Sequence, residues 1–188
     1  MSTAHVFGDD VTAAQIFAPD RVPTGDGRLA PHCLAALDQS FAERVTPGDF
    51  VVAGREFGCG VYRANAAPTL RETGVGAVLA ESFGRLFLRD AIGVGLPVVE
   101  VPDVTAHVAD GDVLTVDPAA GELRNETTGS TSPLGSYPAF VTWSLRSTRQ
   151  HRVRPDRRTD HRPSPSVADR CGRNRPATGR GVELSESD

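Results

Sequence analysis

The chain has 188 residues, of which 39% are hydrophobic and 6% aromatic, and its formal net charge at pH 7 is −4. This length allows one domain with a substantial core and a further segment. Apolar stretches are short and interrupted by charge, and no basic segment followed by an apolar run opens the sequence. We therefore expect neither a transmembrane helix nor a secretory signal.

Charge is distributed unevenly along the chain. Through Leu145 there are 18 acidic and 9 basic side chains, a net charge of −9. From Arg146 onward there are 11 basic and 6 acidic side chains, a net charge of +5, and every basic residue of the chain is an arginine. An acidic body of this kind is not expected to bind nucleic acid.

The three cysteines do not form a recognisable site. Cys33, Cys59 and Cys171 include no C-x-x-C pair and have no histidine at a metal-ligand spacing. We expect no disulfide framework, no metal site and no cofactor held by this chain, and a reducing cytoplasmic location.

The first part of the chain has few regular patterns. A short apolar start at His5 leads into a turn at Gly8-Asp9-Asp10, and a loop rich in Gly, Pro and Asp extends to Pro31. From His32 to Val45 apolar residues recur at helical spacing, which predicts a helix that ends before Pro47-Gly48.

Apolar strands then alternate with helices. The predicted elements, in order, are a strand at Phe50–Ala53, a helix at Ala64–Glu72, a strand at Val75–Ala80, a helix at Phe83–Ile92 capped by Ser82, and a strand at Leu96–Val101. Short connections between such elements predict parallel strands with crossover helices, so the fold class is α/β.

The last predicted elements are antiparallel, and a tail follows them. Val113–Asp117 and Glu122–Arg124 flank a Pro-Ala-Ala-Gly turn, which predicts a hairpin at the end of the α/β body. After Leu145 aliphatic residues become too sparse to bury a core, so residues 1–145 are predicted as a domain and 146–188 as a disordered Arg/Pro/Ser-rich tail. A frameshift in a GC-rich gene is one hypothesis for this tail, and resequencing the locus tests it.

A glycine-flanked turn, Gly58-Cys59-Gly60, follows the first predicted strand, and Arg63 comes at the expected first turn of the next helix. Glycine permits positive φ and lets backbone N–H groups approach a ligand. A helix start adds N–H donors and a partial positive charge, and a guanidinium adds a planar fork of donors for a carboxylate. The pattern predicts a seat for a small anion.

A second pair of arginines lies on the following predicted helix. Arg85 and Arg89 are four residues apart and could form a basic strip on one face. Pairing with nearby acids such as Glu81 is the default expectation for them.

Several ordered segments carry a resemblance to a known family. They are GDDV at 8–11 with QIF at 15–17, FAERVTPGDFVVA at 41–53, GREFGCG at 54–60, AVLAESFGRLFLRDAIGVGLP at 77–97, and residues 111–129 with their Asn-Glu-Thr-Thr-Gly turn. Over residues 5–140 the chain resembles the small subunits of 3-isopropylmalate dehydratase, the separate swivel domain of the aconitase family.

The resemblance implies a swivelling β/β/α domain within the α/β class. It also implies a partner, a large subunit that carries a [4Fe–4S] cluster, and by this analogy Cys59 is not a cluster ligand. The implied reaction isomerises 2-isopropylmalate to 3-isopropylmalate, a step of leucine biosynthesis, with a small hydroxy-dicarboxylate as substrate.

The implied site departs from the family pattern just after the glycine turn. The family's turn is usually followed by Ser-Ser-Arg-Glu-His, and its first serine is the catalytic base, whereas this chain has Val61-Tyr62-Arg63-Ala64-Asn65. Arg63 is retained, and with Gly58, Cys59 and Gly60 it is the implied substrate-binding set. Tyr62 is the candidate catalytic hydroxyl, with aromatic packing at the turn as the alternative.

Three functional hypotheses follow. The chain is an active dehydratase small subunit, a catalytically inert paralogue that binds a carboxylate or a large subunit, or a paralogue shifted to another hydroxy acid.

Overall fold

The computed structural model describes residues 1–18, 30–61, 63–135 and 137, with Arg63 described by its backbone alone. The strands are Ser2–Val6 (β1), Phe50–Ala53 (β2), Ala77–Ala80 (β3), Val98–Glu100 (β4), Val113–Asp117 (β5), Glu122–Asn125 (β6) and Thr131–Pro133 (β7). The helices are Ala13–Phe17 (α1), Phe41–Arg44 (α2), Arg63–Thr73 (α3), Arg85–Gly93 (α4) and Val104–His107 (α5), with a 3-10 turn at Ala30–His32. The predicted tail, 146–188, lies outside the described residues, so the domain boundary stays a prediction.

The seven strands form one curled sheet in the order β4-β3-β2-β1-β5-β6-β7. The half from β4 to β1 is parallel and the half from β1 to β7 is antiparallel. Curling brings the two edges together, since the N–H of Gly135, just after β7, donates to the carbonyl of Glu100 in β4 at 2.7 Å. The α/β class and the swivel-type architecture are confirmed.

Both faces of the parallel half are buried, which explains its unbroken apolar strands. Successive side chains of a strand point to opposite faces. Val51 and Ala53 pack with the core beneath α1, α3 and α4, whereas Phe50 and Val52 pack with the core inside the curl. One layer of helices is thus held against one face of the sheet.

Most elements agree with the sequence prediction. The strand Phe50–Ala53, the parallel pairing, the helix after the glycine turn and the hairpin of β5 and β6 are confirmed. Gly74, the residue after α3, has a φ of +95°, as expected of a residue that ends a helix. None of the helices among the described residues is long and apolar enough to cross a membrane.

The prediction of one helix from His32 to Val45 is wrong. The chain forms a turn here because Leu34 has a φ of +54°, which no helix continues through. The Asp38 carboxylate then accepts bonds from the N–H and hydroxyl of Ser40, at 2.9 and 2.7 Å, and this local turn competes with helix. Only α2 remains helical.

The prediction that Ser82 caps a helix starting at Phe83 is also wrong. Phe83 is held in a parallel bridge to Phe57, so α4 begins only at Arg85, with Gly84 as its N-cap residue. The Ser82 hydroxyl instead accepts a hydrogen bond from the N–H of Glu56, at 2.9 Å. It ties the loop after β3 to the loop after β2.

Candidate functional site

The glycine turn lies at the carboxyl edge of the parallel strands. β1, β2 and β3 all end at this edge, and α1, α3 and α4 begin beyond it. In open parallel sheets this edge is where ligands bind. Residues 54–61, which connect β2 to α3, therefore occupy the expected position of a site.

The loop after β1 holds this turn in place through main-chain bonds. The N–H of Gly58 donates to the carbonyl of Val11 at 2.7 Å, and the N–H of Ala13 donates to the carbonyl of Cys59 at 2.8 Å. Thr12 caps α1 in a capping box with Gln15, so the attachment point is itself rigid.

An ion pair joins the same two loops. Asp9 accepts the backbone N–H of Arg55 at 2.9 Å and its guanidinium at 3.2 Å, and these bonds lower the pKa of the Asp9 carboxyl below its usual value. A side chain at Gly54 would push this carboxylate aside, because its Cβ would lie 1.8 Å from Asp9 Oδ1. Asp9 thus sets the path of the chain out of β2.

Sequence reasoning did not assign a role to Asp9 or Arg55, which are separated by 46 positions. The T-x-x-Q pattern at Thr12–Gln15 is a capping-box signal that could have predicted the helix start in this loop.

A cluster of three aromatic rings supports the turn from below. The rings of Phe57 and Phe87 meet edge to face at 5.3 Å between centroids, and Phe83 stacks on Phe87 at 6.2 Å. Gly58 lies directly on this cluster with a φ of +77°, and a Cβ there would lie 2.3 Å from Phe87 Cγ. Glycine is required both by the backbone conformation and by the contact.

Comparisons with known proteins agree with this arrangement. Residues 28–103 match the family described as the aconitase C-terminal domain. A 3-isopropylmalate dehydratase small subunit from Moorella thermoacetica is 41% identical over 138 residues, which are 73% of this chain and 83% of that protein. The same subunit of Desulfovibrio desulfuricans is 40% identical over 139 residues, 73% of this chain and 84% of that protein.

A solved structure gives the same result. The crystal structure of 3-isopropylmalate dehydratase from Methanocaldococcus jannaschii matches with a TM-score of 0.68 and 33% identity, covering 79% of this chain and 93% of that one. The chain belongs to the 3-isopropylmalate dehydratase small-subunit family. The resemblance expected from the sequence is thereby confirmed.

The described residues of this family member do not fit an iron–sulfur cluster of their own. They contain no group of three or more His, Cys, Asp or Glu side chains able to hold a metal. Cys33 is fully buried, and burial raises the pKa of its thiol to about 12 against a smaller opposing effect of the hydrogen bond with Thr73. Cys59 is partly exposed on the turn. A cluster needs several thiolates converging on one point, and these two residues do not supply them.

The structure describes some of the predicted site residues and not others. Gly58, Cys59 and Gly60 form the turn at the carboxyl edge, and Arg63 is the first residue of α3. Tyr62 lies outside the described residues. Val61, at the position where the family usually has its first serine, is 66% exposed. The N–H groups of Gly58 and Cys59 donate to the carbonyls of Val11 and Glu56, at 2.7 and 3.2 Å, so these two are not the bare donors that the sequence predicts. The substrate-binding role of the turn and the roles of Tyr62 and the Arg63 side chain stay predictions.

Proposed function

We propose that the chain is the small subunit of a 3-isopropylmalate dehydratase-type hydro-lyase, which isomerises 2-isopropylmalate to 3-isopropylmalate in leucine biosynthesis. The observation that carries this proposal is the 41% identity over 83% of a small subunit of that enzyme. The position of the glycine turn at the carboxyl edge of the sheet supports it.

The proposed substrate is a small hydroxy-dicarboxylate held by its carboxylate. The N–H groups of Gly58 and Cys59 already donate to the carbonyls of Val11 and Glu56, so the turn would act by positioning the helix start. The donors proposed to face the anion are those of the first turn of α3, whose N–H groups have no intrahelical acceptors. The guanidinium of Arg63 would bind the carboxylate in a fork of two bonds. Tyr62 is the proposed source of an acid–base hydroxyl next to this seat.

The proposed partner is a large subunit that carries the [4Fe–4S] cluster, since the described residues of this chain do not fit one. A cluster iron binding the substrate would act as a Lewis acid. Apart from the proposed hydroxyl of Tyr62, the roles proposed for this chain are the binding and positioning of the substrate's carboxylate end. We propose a cytoplasmic location for the complex.

One observation favours a second candidate function. Val61 has no ionisable group, and it is exposed where the family usually has a catalytic serine. A paralogue that is inert, or shifted to another hydroxy acid, would have this feature while keeping the rest of the fold.

The test is anaerobic co-expression of the full chain with aconitase-type large subunits from the same genome, followed by an assay of 2-isopropylmalate isomerisation. We expect turnover, and we expect Arg63→Ala to lower kcat/KM by roughly 100-fold or more, the effect of removing one anion-stabilising group. Arg71→Ala is the matched control, because Arg71 is an exposed arginine in the last turn of the same helix. Equal losses in both variants would contradict the anion-binding role of Arg63.

Two further variants separate the hypotheses about the base. If Tyr62 supplies the hydroxyl, Tyr62→Phe abolishes turnover while substrate binding persists. Turnover that survives Tyr62→Phe removes Tyr62 from the mechanism. A stable complex without turnover, which Val61→Ser then activates, favours the inert paralogue.

A further inference from the structure

One face of α4 combines two arginines with exposed aliphatic side chains. Arg85, Leu86, Arg89 and Ile92 fall within about 120° of the helix circumference, opposite the buried Phe87. Leu86 and Ile92 are 41% and 42% exposed, although most large apolar side chains of the described residues are buried. We call these four residues the α4 face.

The arginines of the α4 face have no ion pair among the described residues. The expected partner, Glu81, accepts a hydrogen bond from the Thr105 hydroxyl at 2.9 Å instead. By contrast, Arg44 and Arg55 each pair with an aspartate. The default expectation of pairing with Glu81 is therefore wrong, and two cations are left facing outward on a body whose net charge is −9.

The α4 face adjoins the candidate site. A Cβ on Gly84, the N-cap residue of α4, would lie 3.2 Å from the Cα of Cys59, so the helix starts directly against the turn. Val61, at the other end of that turn, adds a further exposed apolar side chain. Whatever completes the site must approach this edge of the sheet.

We propose that the α4 face binds the large subunit, through acidic side chains on the large subunit that surround an apolar centre. This inference rests on the proposed function and names the surface that it would use. Arginine and large apolar residues are enriched in protein interfaces, and unpaired arginines add charge complementarity towards an acidic partner.

The composition of the α4 face argues against two other occupants. A small carboxylate would bind the arginines but gain nothing from Leu86 and Ile92. A second copy in a two-fold contact centred on α4 would place like surfaces together, and arginine would meet arginine. An acidic and apolar protein surface fits both parts of the face.

The charge test measures the affinity of the full chain for the co-expressed large subunit by biolayer interferometry under anaerobic conditions. We expect the double variant Arg85→Glu/Arg89→Glu to raise Kd by about tenfold or more, and the wild-type Kd to rise with salt. Arg124→Glu is the matched control, since Arg124 is exposed in β6 and has no ion pair among the described residues. Its Kd should stay within about twofold of wild type. Circular dichroism verifies that each variant is folded.

The apolar test uses two leucine or isoleucine positions of equal exposure. Ile92→Ser should weaken binding by about tenfold, whereas Leu37→Ser, at a residue that is 43% exposed on another part of the chain, should not. Equal binding by the charge-reversed and wild-type chains would overturn the inference and leave the proposed function intact.

Other outcomes identify another occupant. A wild-type dimer in sedimentation that Arg89→Glu converts to monomer would show a second copy on this face. If the variant Arg85→Glu/Arg89→Glu binds the large subunit normally but loses affinity for 3-isopropylmalate, the α4 face binds a small ligand instead. A wild-type chain that binds no large subunit would overturn both the inference and the proposed function.

Discussion

Gly58 and Gly60 both have left-handed backbone conformations, with φ of +77° and +86°, but their surroundings differ. A Cβ on Gly58 would lie 2.3 Å from Phe87 Cγ, whereas one on Gly60 would approach only Thr12, at 3.8 Å. The turn therefore tolerates a side chain poorly at its first glycine and better at its second.

This difference gives a paired prediction. Gly60→Ala should lower the free energy of unfolding by about 1 kcal/mol, the cost of a left-handed alanine. Gly58→Ala should cost about 3 kcal/mol, because overpacking against Phe87 adds to that cost. Urea denaturation of both variants measures the difference. Equal losses of unfolding free energy would mean that an alanine at position 58 does not clash with Phe87.

Cys33 provides a second test at this scale. Burial raises the pKa of its thiol to about 12, so the fold favours the neutral form. Iodoacetamide at pH 8 should leave Cys33 unmodified in the native chain and alkylate it in urea, as peptide mass spectrometry can show. This contribution to stability is fully present below pH about 9, the usual thiol value, and is lost as pH rises towards 12. Rapid native alkylation of Cys33 would contradict its burial.

At the scale of elements, the sequence predicts a helix or strand correctly where neighbouring residues alone determine it. Phe50–Ala53 is a run of apolar residues between a Pro-Gly turn and a glycine, and it forms β2 as expected. The start of α4 depends instead on Phe83 pairing with Phe57, 26 positions away, and the sequence alone places Ser82 as a cap. The Asp9–Arg55 pair was missed for the same reason, because each residue by itself is typical of a loop.

One buried amide ties the turn between β6 and β7 to the residue before β5. Asn125 donates to Asp112 Oδ2 at 2.7 Å, and its Oδ1 accepts the N–H groups of Thr127 and Thr128 at 3.0 and 3.2 Å. With the Ala109 N–H as the larger cause, the bond from Asn125 also lowers the pKa of the Asp112 carboxyl. The turn predicted at residues 125–129, which connects β6 to β7, is thus tied to the start of β5.

Asn125→Ala should therefore lower the free energy of unfolding by about 2 kcal/mol, since it leaves buried groups without partners. Asn65→Ala is the control, because Asn65 is exposed on α3 and should change stability by less than about 0.5 kcal/mol. Thermal unfolding followed by circular dichroism compares the two. Equal effects of the two substitutions would show that the hydrogen bonds of Asn125 do not contribute to the stability of the fold.

At the scale of the whole molecule, β1 joins the two halves of the sheet, parallel to β2 and antiparallel to β5. The sequence did not reveal this central role, because β1 contains two polar residues, Ser2 and Thr3, and His5, a residue of only intermediate burial tendency. His5 is 4% exposed, and its Nε2 lies 3.2 Å from Asp49 Oδ2, so a polar pair between β1 and the residue before β2 provides a partner for one ring nitrogen of the buried imidazole. Such compensation between distant residues is visible only in the folded chain.

At this scale the described residues supply the turn and the helix start of the candidate site but not the ligands of an iron–sulfur cluster. The turn, the helix start and the α4 face meet at one edge of the sheet, while the described residues hold no cluster ligands. We therefore propose that this chain is the carboxylate-binding half of a two-subunit enzyme.

Turnover of 2-isopropylmalate by the reconstituted pair tests that claim most directly. The wild-type chain and its large subunit are assembled anaerobically, with the Moorella thermoacetica pair as a positive control. We predict that 3-isopropylmalate forms only when both subunits are present. A stable complex that forms no product, beside an active control, would contradict the claim.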